Sequence, residues 1–143
     1  MPAQITDRVP LVTYGMFDTA PPLFYIITDP TTGEPFDFTQ TPNARVFITV
    51  AHALWSTFFV TRSPIVDRAQ CVIGDPVAGE VAWTPQADDL NVPGMFQFSF
   101  EVDLLGDATE VFTQKSLSYD HIRVQAPPGG RHRKSLLEDV GPA

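Results

Sequence analysis

The sequence predicts an all-β sandwich, and three observations support that fold class. From Met95 to Asp103 apolar and polar residues alternate, which is typical of a half-buried β-strand with one apolar face. Short apolar segments elsewhere are separated by Pro, Gly, Asn and Asp residues that form turns. The 143 residues include 11 Phe and 14 Pro, a composition that favours strands and turns over helices. A sandwich is a scaffold with many functions, so function must be argued from a site or a resemblance.

The first half of the chain is predicted to contain an arm and two or three strands. Residues 1–20 are rich in Pro, Thr, Asp and Gly and indicate an extended N-terminal arm. A first strand is expected at 23–28, followed by turn residues at 29–34. The next strand, 44–50, places Ala, Val, Ile and Val on one face. Residues 51–60 fit either a strand or a single helical turn, and we favour a strand.

The second half continues as strands joined by turns. Strands are predicted at 65–73, 80–84, 95–103, 111–112 and 119–124. Gly and Pro residues at 74–79 predict a hairpin, and the carboxylates at 85–90 favour a one-turn helix. About seven strands with regular turn signals indicate an immunoglobulin-like antiparallel β-sandwich over residues 21–125.

The last part of the sequence, 126–143, has the composition of a linker and tail. Pro and Gly residues come first, and a basic cluster and an apolar pair follow. The cluster fits either a tether to nucleic acid or a segment that docks on an acidic patch of a neighbouring subunit. Four basic residues make few phosphate contacts, so docking is favoured. The predicted partner-contact residues are Arg131, His132, Arg133, Lys134, Leu136 and Leu137.

The charge and the hydropathy pattern exclude several partner classes. With 17 acidic and 9 basic residues the formal charge is −8, and such a surface repels phosphate backbones. We therefore expect no nucleic-acid partner. The N-terminus lacks an apolar signal core, and no stretch of about 18 uncharged apolar residues occurs, so no membrane contact is expected.

Metal-binding patterns are absent from the sequence. The three histidines lie in separate segments without ligand spacing, at His52, His121 and His132. His121 is expected to be an outward-facing strand residue. Four aspartates could gather around a calcium ion, but no calcium-binding loop pattern occurs, and turn or cap roles are favoured: Asp88, Asp89, Asp103 and Asp107.

Catalytic motifs are also absent, so no catalytic residue, cofactor or small-molecule substrate is predicted. The sequence contains no nucleophile elbow and no glycine-rich phosphate loop. Paired carboxylates cannot be judged from spacing alone, because that pairing is spatial. Cys71 is expected to be a buried core residue. Trp55 and Trp83 could form a pair that stacks on sugars, but core packing is favoured for both.

The order of short motifs between residues 11 and 124 carries a family resemblance. The first half has Gly-Met-Phe-Asp-Thr-Ala-Pro-Pro-Leu at 15–23, Thr-Gly-Glu-Pro at 32–35 and Ala-Arg-Val-Phe-Ile at 44–48. The second half has Gly-Glu-Val-Ala-Trp at 79–83, Pro-Gly-Met-Phe at 93–96 and Glu-Val-Phe at 110–112. This order resembles the immunoglobulin-like domain of bacteriophage upper baseplate proteins. Two differences are Phe38-Thr39-Gln40 in place of the family's Leu-Thr-Gly, and the lack of the larger domains that normally follow.

The resemblance implies a non-enzymatic structural protein of a bacteriophage virion, assembled in the bacterial host cytoplasm. A tail or baseplate component is the first expectation, and a neck or capsid decoration protein is the alternative within that class. Its partners would be other virion proteins and copies of itself, reached through the sandwich and both terminal arms. A carbohydrate-binding module is the alternative of another class, and it requires exposed aromatic residues at Trp55, Trp83 or Tyr119. A small hydrolase would need a pocket with clustered titratable groups.

Overall fold

The computed structural model describes residues 10–52, 64–116 and 120–127, which form nine β-strands and one short 3-10 helix. The strands are β1 Val12–Gly15, β2 Leu23–Ile26, β3 Arg45–His52, β4 Val66–Gln70, β5 Val72–Ile73, β6 Glu80–Trp83, β7 Gly94–Asp103, β8 Val111–Lys115 and β9 Ile122–Gln125. The 3-10 helix is Phe38–Gln40. The predicted all-β class is confirmed. None of these residues belongs to a helix long and apolar enough to cross a membrane.

The larger sheet has six strands and is built around β7. Its order is β1-β9-β7-β3-β4, and β8 also pairs with β7. One side of β7 pairs with the whole of β3, from Arg45 opposite Asp103 to His52 opposite Phe96. Its other side pairs with β9 at the start of the strand and with β8 at the end. The β1 and β9 strands are parallel, whereas the other pairs are antiparallel, so this sheet is mixed.

The smaller sheet is antiparallel, with the order β2-β6-β5, and it faces the larger sheet across the core. The Tyr25 ring of β2 lies 5.1 Å from the Phe98 ring and 5.4 Å from the Phe100 ring, both on β7. The rings of Tyr14 and Trp83 meet edge to face at 6.5 Å. Burial of such aromatic side chains is the main contribution to core energetics.

The alternating segment that predicted a strand is β7. Phe96, Phe98, Phe100 and Val102 are 0–3% exposed, and the residues between them are only partly buried. In β3, Val46, Ile48 and Val50 are fully buried, as their alternation predicts.

The strand predicted at 65–73 is instead two strands in different sheets. β4 pairs with β3 in the larger sheet, whereas β5 pairs with β6 in the smaller one. The chain crosses at Cys71, whose N–H donates to the Val46 carbonyl at 2.8 Å. Arg68 has a left-handed φ of 53°, and the β3–β4 register shifts beside it. Such a bulge bends the strand, which sequence alternation does not reveal.

The predicted N-terminal arm is wrong for its second half, because β1 is part of the larger sheet. Tyr14 is fully buried, and its hydroxyl donates to the Pro21 carbonyl at 2.6 Å. A four-residue strand is too short to show a clear alternation. Residues 1–9 of the predicted arm lie outside the described residues, as do 53–60 of the ambiguous segment.

The predicted one-turn helix at 85–90 is also wrong, because this segment forms a turn closed by Asp89. The Asp89 N–H donates to the Gln86 carbonyl at 3.0 Å, and the Asp89 carboxylate accepts from the Gln86 N–H at 2.7 Å. The segment forms this one turn and does not continue as a helix.

Candidate functional site

The predicted partner-contact residues lie in 128–143, outside the described residues, and remain a prediction. These are Arg131, His132, Arg133, Lys134, Leu136 and Leu137. The candidate site therefore has to be sought on the sandwich itself.

Asp89, Asp103 and Asp107 have the turn roles that the sequence predicts. The Asp103 carboxylate accepts hydrogen bonds from the Arg45 guanidinium at 3.0 Å and from backbone N–H groups of Gly106 and Ala108 at 3.0 and 3.1 Å. Burial acts to raise the pKa of Asp103, but these hydrogen bonds outweigh it and lower the pKa. Asp107 accepts from the hydroxyl and N–H of Thr109. In the described ranges no three His, Cys, Asp or Glu residues are grouped to hold a metal ion.

Cys71 and Trp83 are buried as predicted, whereas His121 is buried although it was predicted to face outward. Burial raises the pKa of the Cys71 thiol to about 12, so the reactive thiolate is not formed near neutral pH. Trp83 is 2% exposed and belongs to the core. His121 was expected to face outward, but it is 7% exposed. It precedes β9, and its carbonyl accepts from the Leu11 N–H, so the chain leading into β1 lies alongside it.

The β2 strand lies at an edge of the smaller sheet with half of its backbone groups directed away from its neighbour. The Ile27 N–H donates to the Gly79 carbonyl at 2.9 Å, and the register is Tyr25 opposite Val81. Because hydrogen-bonded pairs alternate in antiparallel sheets, the odd-numbered residues bond to β6. The N–H and C=O groups of Phe24 and Ile26 therefore point to the open side.

The side chain of Gln114, on β8, occupies one part of this open edge. Its Nε2 donates to the Ile26 carbonyl at 3.2 Å, and its Oε1 accepts from the Thr28 N–H at 2.8 Å. The amide thus satisfies two groups of β2 much as the peptide of a further strand would. Among the described residues, the N–H and C=O of Phe24 and the N–H of Ile26 have no hydrogen-bond partner.

The outer face of the smaller sheet carries mostly apolar side chains, with the charged Glu80 opposite Ile26. In one row across the three strands, Phe24 lies opposite Ala82, which lies opposite Val72. Phe24 is 55% exposed and Val72 is 69% exposed. Ile26, beside Phe24, is 41% exposed. Contiguous exposed apolar residues of this kind mark interaction surfaces.

A groove of about 470 Å³ runs between the open edge of β2 and β8. It is lined by Phe24, Tyr25, Ile26, Thr28, Gln114 and Lys115. Lys115 is the charged member of this set, so the groove is mostly uncharged. We call the β2 edge, its outer face and this groove the β2 surface.

Two other described edges, those formed by β4 and β5, are less suited to strand pairing. In β4, the bulge at Arg68 bends the strand, and its guanidinium donates to the Glu101 carboxylate at 2.7 and 3.1 Å. It also lies 4.3 Å from the centre of the Phe47 ring. β5 is only two residues long. Proteins protect sheet edges with bulges, charged residues and short strands. β2 contains no bulge and no charged residue.

Sequence reasoning did not identify the β2 surface. The absence of charge from Leu23 to Thr28 was visible in the sequence, but a buried strand would show it as well. The role of Gln114 depends on tertiary register, which leaves no local signal. No protein-family model and no curated protein matches this chain.

Proposed function

We propose that this chain is a non-enzymatic structural protein of a bacteriophage virion, a tail or baseplate component that contacts neighbouring subunits through an immunoglobulin-like sandwich. The observation that carries the proposal is the β2 surface, where an uncharged, unprotected strand edge adjoins an exposed apolar face. Both features are costly for a protein that works alone, because they promote association. They are useful in an assembly, where a neighbour covers them.

The phage assignment is supported by the order of turn and strand motifs between residues 11 and 124. The two facing sheets with one core are compatible with the immunoglobulin-like fold that those motifs imply. A virion places many copies in symmetric contact, so even a modest surface is used repeatedly.

A neck or capsid decoration protein is the alternative within the same class, since it would use the same kind of surface. The carbohydrate-binding alternative is weakened because Trp83, one of its three candidate aromatic residues, is buried. Its other two, Trp55 and Tyr119, lie outside the described residues.

Labelling of assembled particles tests the proposal and separates these alternatives. Gold-labelled antibodies against the purified chain are bound to phage particles from cells that produce this chain. Electron microscopy then locates the gold label on the particle. Label at the tail tip supports the baseplate assignment, whereas label at the neck or head supports the alternatives. Recovery of the chain only in the particle-free fraction would refute a virion role.

The predicted tail contacts are tested in the same preparation. Replacing Arg131, Arg133 and Lys134 by Glu is expected to reduce the amount of chain in particles, because it reverses the charge that would meet an acidic neighbour. Replacing the same residues by Gln is the matched control for loss of charge without reversal. Equal incorporation of all three forms would contradict a contact role for the basic cluster.

A further inference from the structure

We propose that residues 131–137 of the C-terminal tail fold back onto an acidic and apolar patch of the same chain, at the end of the sandwich where β9 ends. We call this surface the acidic patch, and its residues are Phe17, Asp18, Asp88, Asp89 and Val92. The inference goes beyond the proposed function, because it concerns the isolated chain and holds or fails whether or not the chain belongs to a virion.

Two backbone hydrogen bonds place the acidic patch beside the start of the tail. The Met16 N–H donates to the carbonyl of Gln125, the last residue of β9, at 3.0 Å. The next residue, Phe17, donates its N–H to the Leu90 carbonyl at 2.8 Å. Each aspartate of the patch lies within two residues of Phe17 or Leu90 in the sequence. The three carboxylates are therefore grouped near the point where the chain leaves β9.

The carboxylates of the acidic patch have no cationic partner in the part of the chain that the structure describes. Asp18 and Asp89 accept hydrogen bonds from the backbone N–H groups of Gly15 and Gln86, both at 2.7 Å. Asp88 is exposed. The two ion pairs between described residues lie elsewhere in the sandwich. Three negative charges that are not neutralised by a described cation attract a basic segment.

The tail carries groups that complement both parts of the acidic patch. It has three permanent cations, at 131, 133 and 134, and the apolar pair Leu136-Leu137 follows them. In the patch, Phe17 is 54% exposed and Val92 is 37% exposed beside the carboxylates. The cations would meet the carboxylates while the leucines cover the exposed apolar side chains.

The linker is short enough to favour the patch of the same chain over that of a second copy. Arg131 follows Pro127, the last described residue, by four positions, so its Cα lies within about 14 Å of that proline. Gly129 and Gly130 allow the chain to reverse, because glycine adopts left-handed conformations without a steric cost. Such a tether gives an effective concentration on the order of millimolar. In an assembly, an acidic neighbour would compete with this patch for the tail.

Paramagnetic broadening of NMR signals in the full chain measures this contact. A nitroxide is attached to Ser135→Cys, between the cations and the leucines, since Cys71 is buried and unreactive. We expect strong broadening of the Phe17, Asp18 and Asp89 amides when nitroxide and isotope label are on the same chain. An equal mixture of nitroxide-labelled and isotope-labelled chains should show no such broadening, because the contact is within one chain.

Charge variants separate docking from the mere nearness of a tethered label. Replacing Arg131, Arg133 and Lys134 by Gln keeps the tether and should reduce the broadening at least about twofold, as should Asp88→Lys. Glu110→Lys is the matched control, because it makes the same change of charge at an exposed residue beside the opposite end of β7, and it should have no effect. Raising the salt from about 0.1 to 1 M should also reduce the broadening, since the Debye length falls from about 10 to 3 Å.

Three results would overturn the proposed contact. The first is broadening that is equally strong in the Gln form of the tail, which would mean that the segment is tethered but does not dock. The second is broadening that appears only in the mixed sample, and the third is an equal effect of Asp88→Lys and Glu110→Lys. A chain that gives any of these results and is still found on particles would refute the contact and leave the proposed function standing.

Discussion

Gly79 directly precedes β6 and lies against the backbone of the chain that follows β2. This backbone fills the space that a side chain at position 79 would need. Its φ is +71°, and a Cβ there would lie 2.7 Å from the Ile27 carbonyl oxygen and 2.9 Å from the N and O atoms of Phe36. Gly33 has a similar φ of +78°, but a Cβ there would meet nothing within 4 Å. Substituting alanine at each of the two glycines therefore separates the cost of a left-handed conformation from the cost of the close contact.

The expected losses of stability follow from this difference between the two glycines. A left-handed alanine costs about 1–2 kcal/mol, which applies at both positions. At Gly79, relief of the close contact must also displace two hydrogen bonds, from Ile27 N–H to Gly79 and from Phe36 N–H to Ile27, at about 1 kcal/mol each. Gly33→Ala should thus lower the free energy of unfolding by about 1–2 kcal/mol, and Gly79→Ala by about 3–4 kcal/mol. For a domain of this size the corresponding falls in Tm are about 3–7 °C and 10–13 °C.

Urea unfolding followed by tryptophan fluorescence is a suitable assay, because Trp83 is buried beside β2. The slope of the free energy against urea should be the same for both variants, so that the change in midpoint reports stability alone. Equal destabilisation by the two substitutions would refute the steric part of the reasoning. A Gly33→Ala variant as stable as the unmodified chain would refute the conformational part.

Three further predictions concern side chains elsewhere in the sandwich. Gln114→Ala should lower the free energy of unfolding by about 1–2 kcal/mol, since it removes the partners of two β2 backbone groups, whereas the exposed neighbour Thr113→Ala should change it little in the same urea assay. Burial, and secondarily the Asp18 carboxylate, raises the pKa of Tyr14 to about 12, so the contribution of Tyr14 to stability should be constant below about pH 10 and be lost as the pH rises towards 12; melting curves of Tyr14→Phe should lack this part of the fall. Cys71 should react with a thiol reagent only as fast as the protein opens, and rapid modification of the native chain would contradict its burial.

The elements with many alternating residues were predictable from the sequence. β7 has ten residues, and its period of two continues without a bulge although one of its sides changes partner from β9 to β8. The burial of Trp83 and Cys71 followed from their apolar neighbours. In each of these cases the information lies within one short segment, where local pattern and tertiary packing agree.

The predictions that failed concern features that depend on a partner distant in the sequence. β1 has only four residues, and its place in the sheet is determined by β9 rather than by its own pattern. The transfer of the chain from β4 to β5 requires the left-handed Arg68, although arginine carries no preference for that conformation. The β2 surface is open because no described strand covers it, and a sequence pattern predicts a strand without predicting its neighbours.

The parallel pairing of β1 with β9 links the order of synthesis to the order of folding. Val12 pairs with Ile122, so β1 has no strand to join until nearly all of the domain has been made. At ordinary translation rates that delay is on the order of ten seconds, far longer than the time in which a hairpin forms. The hairpins of β5 with β6 and of β7 with β8 can form as soon as they are made, whereas the larger sheet is completed last, by its first strand. Contacts of such long sequence separation also slow refolding of the finished chain.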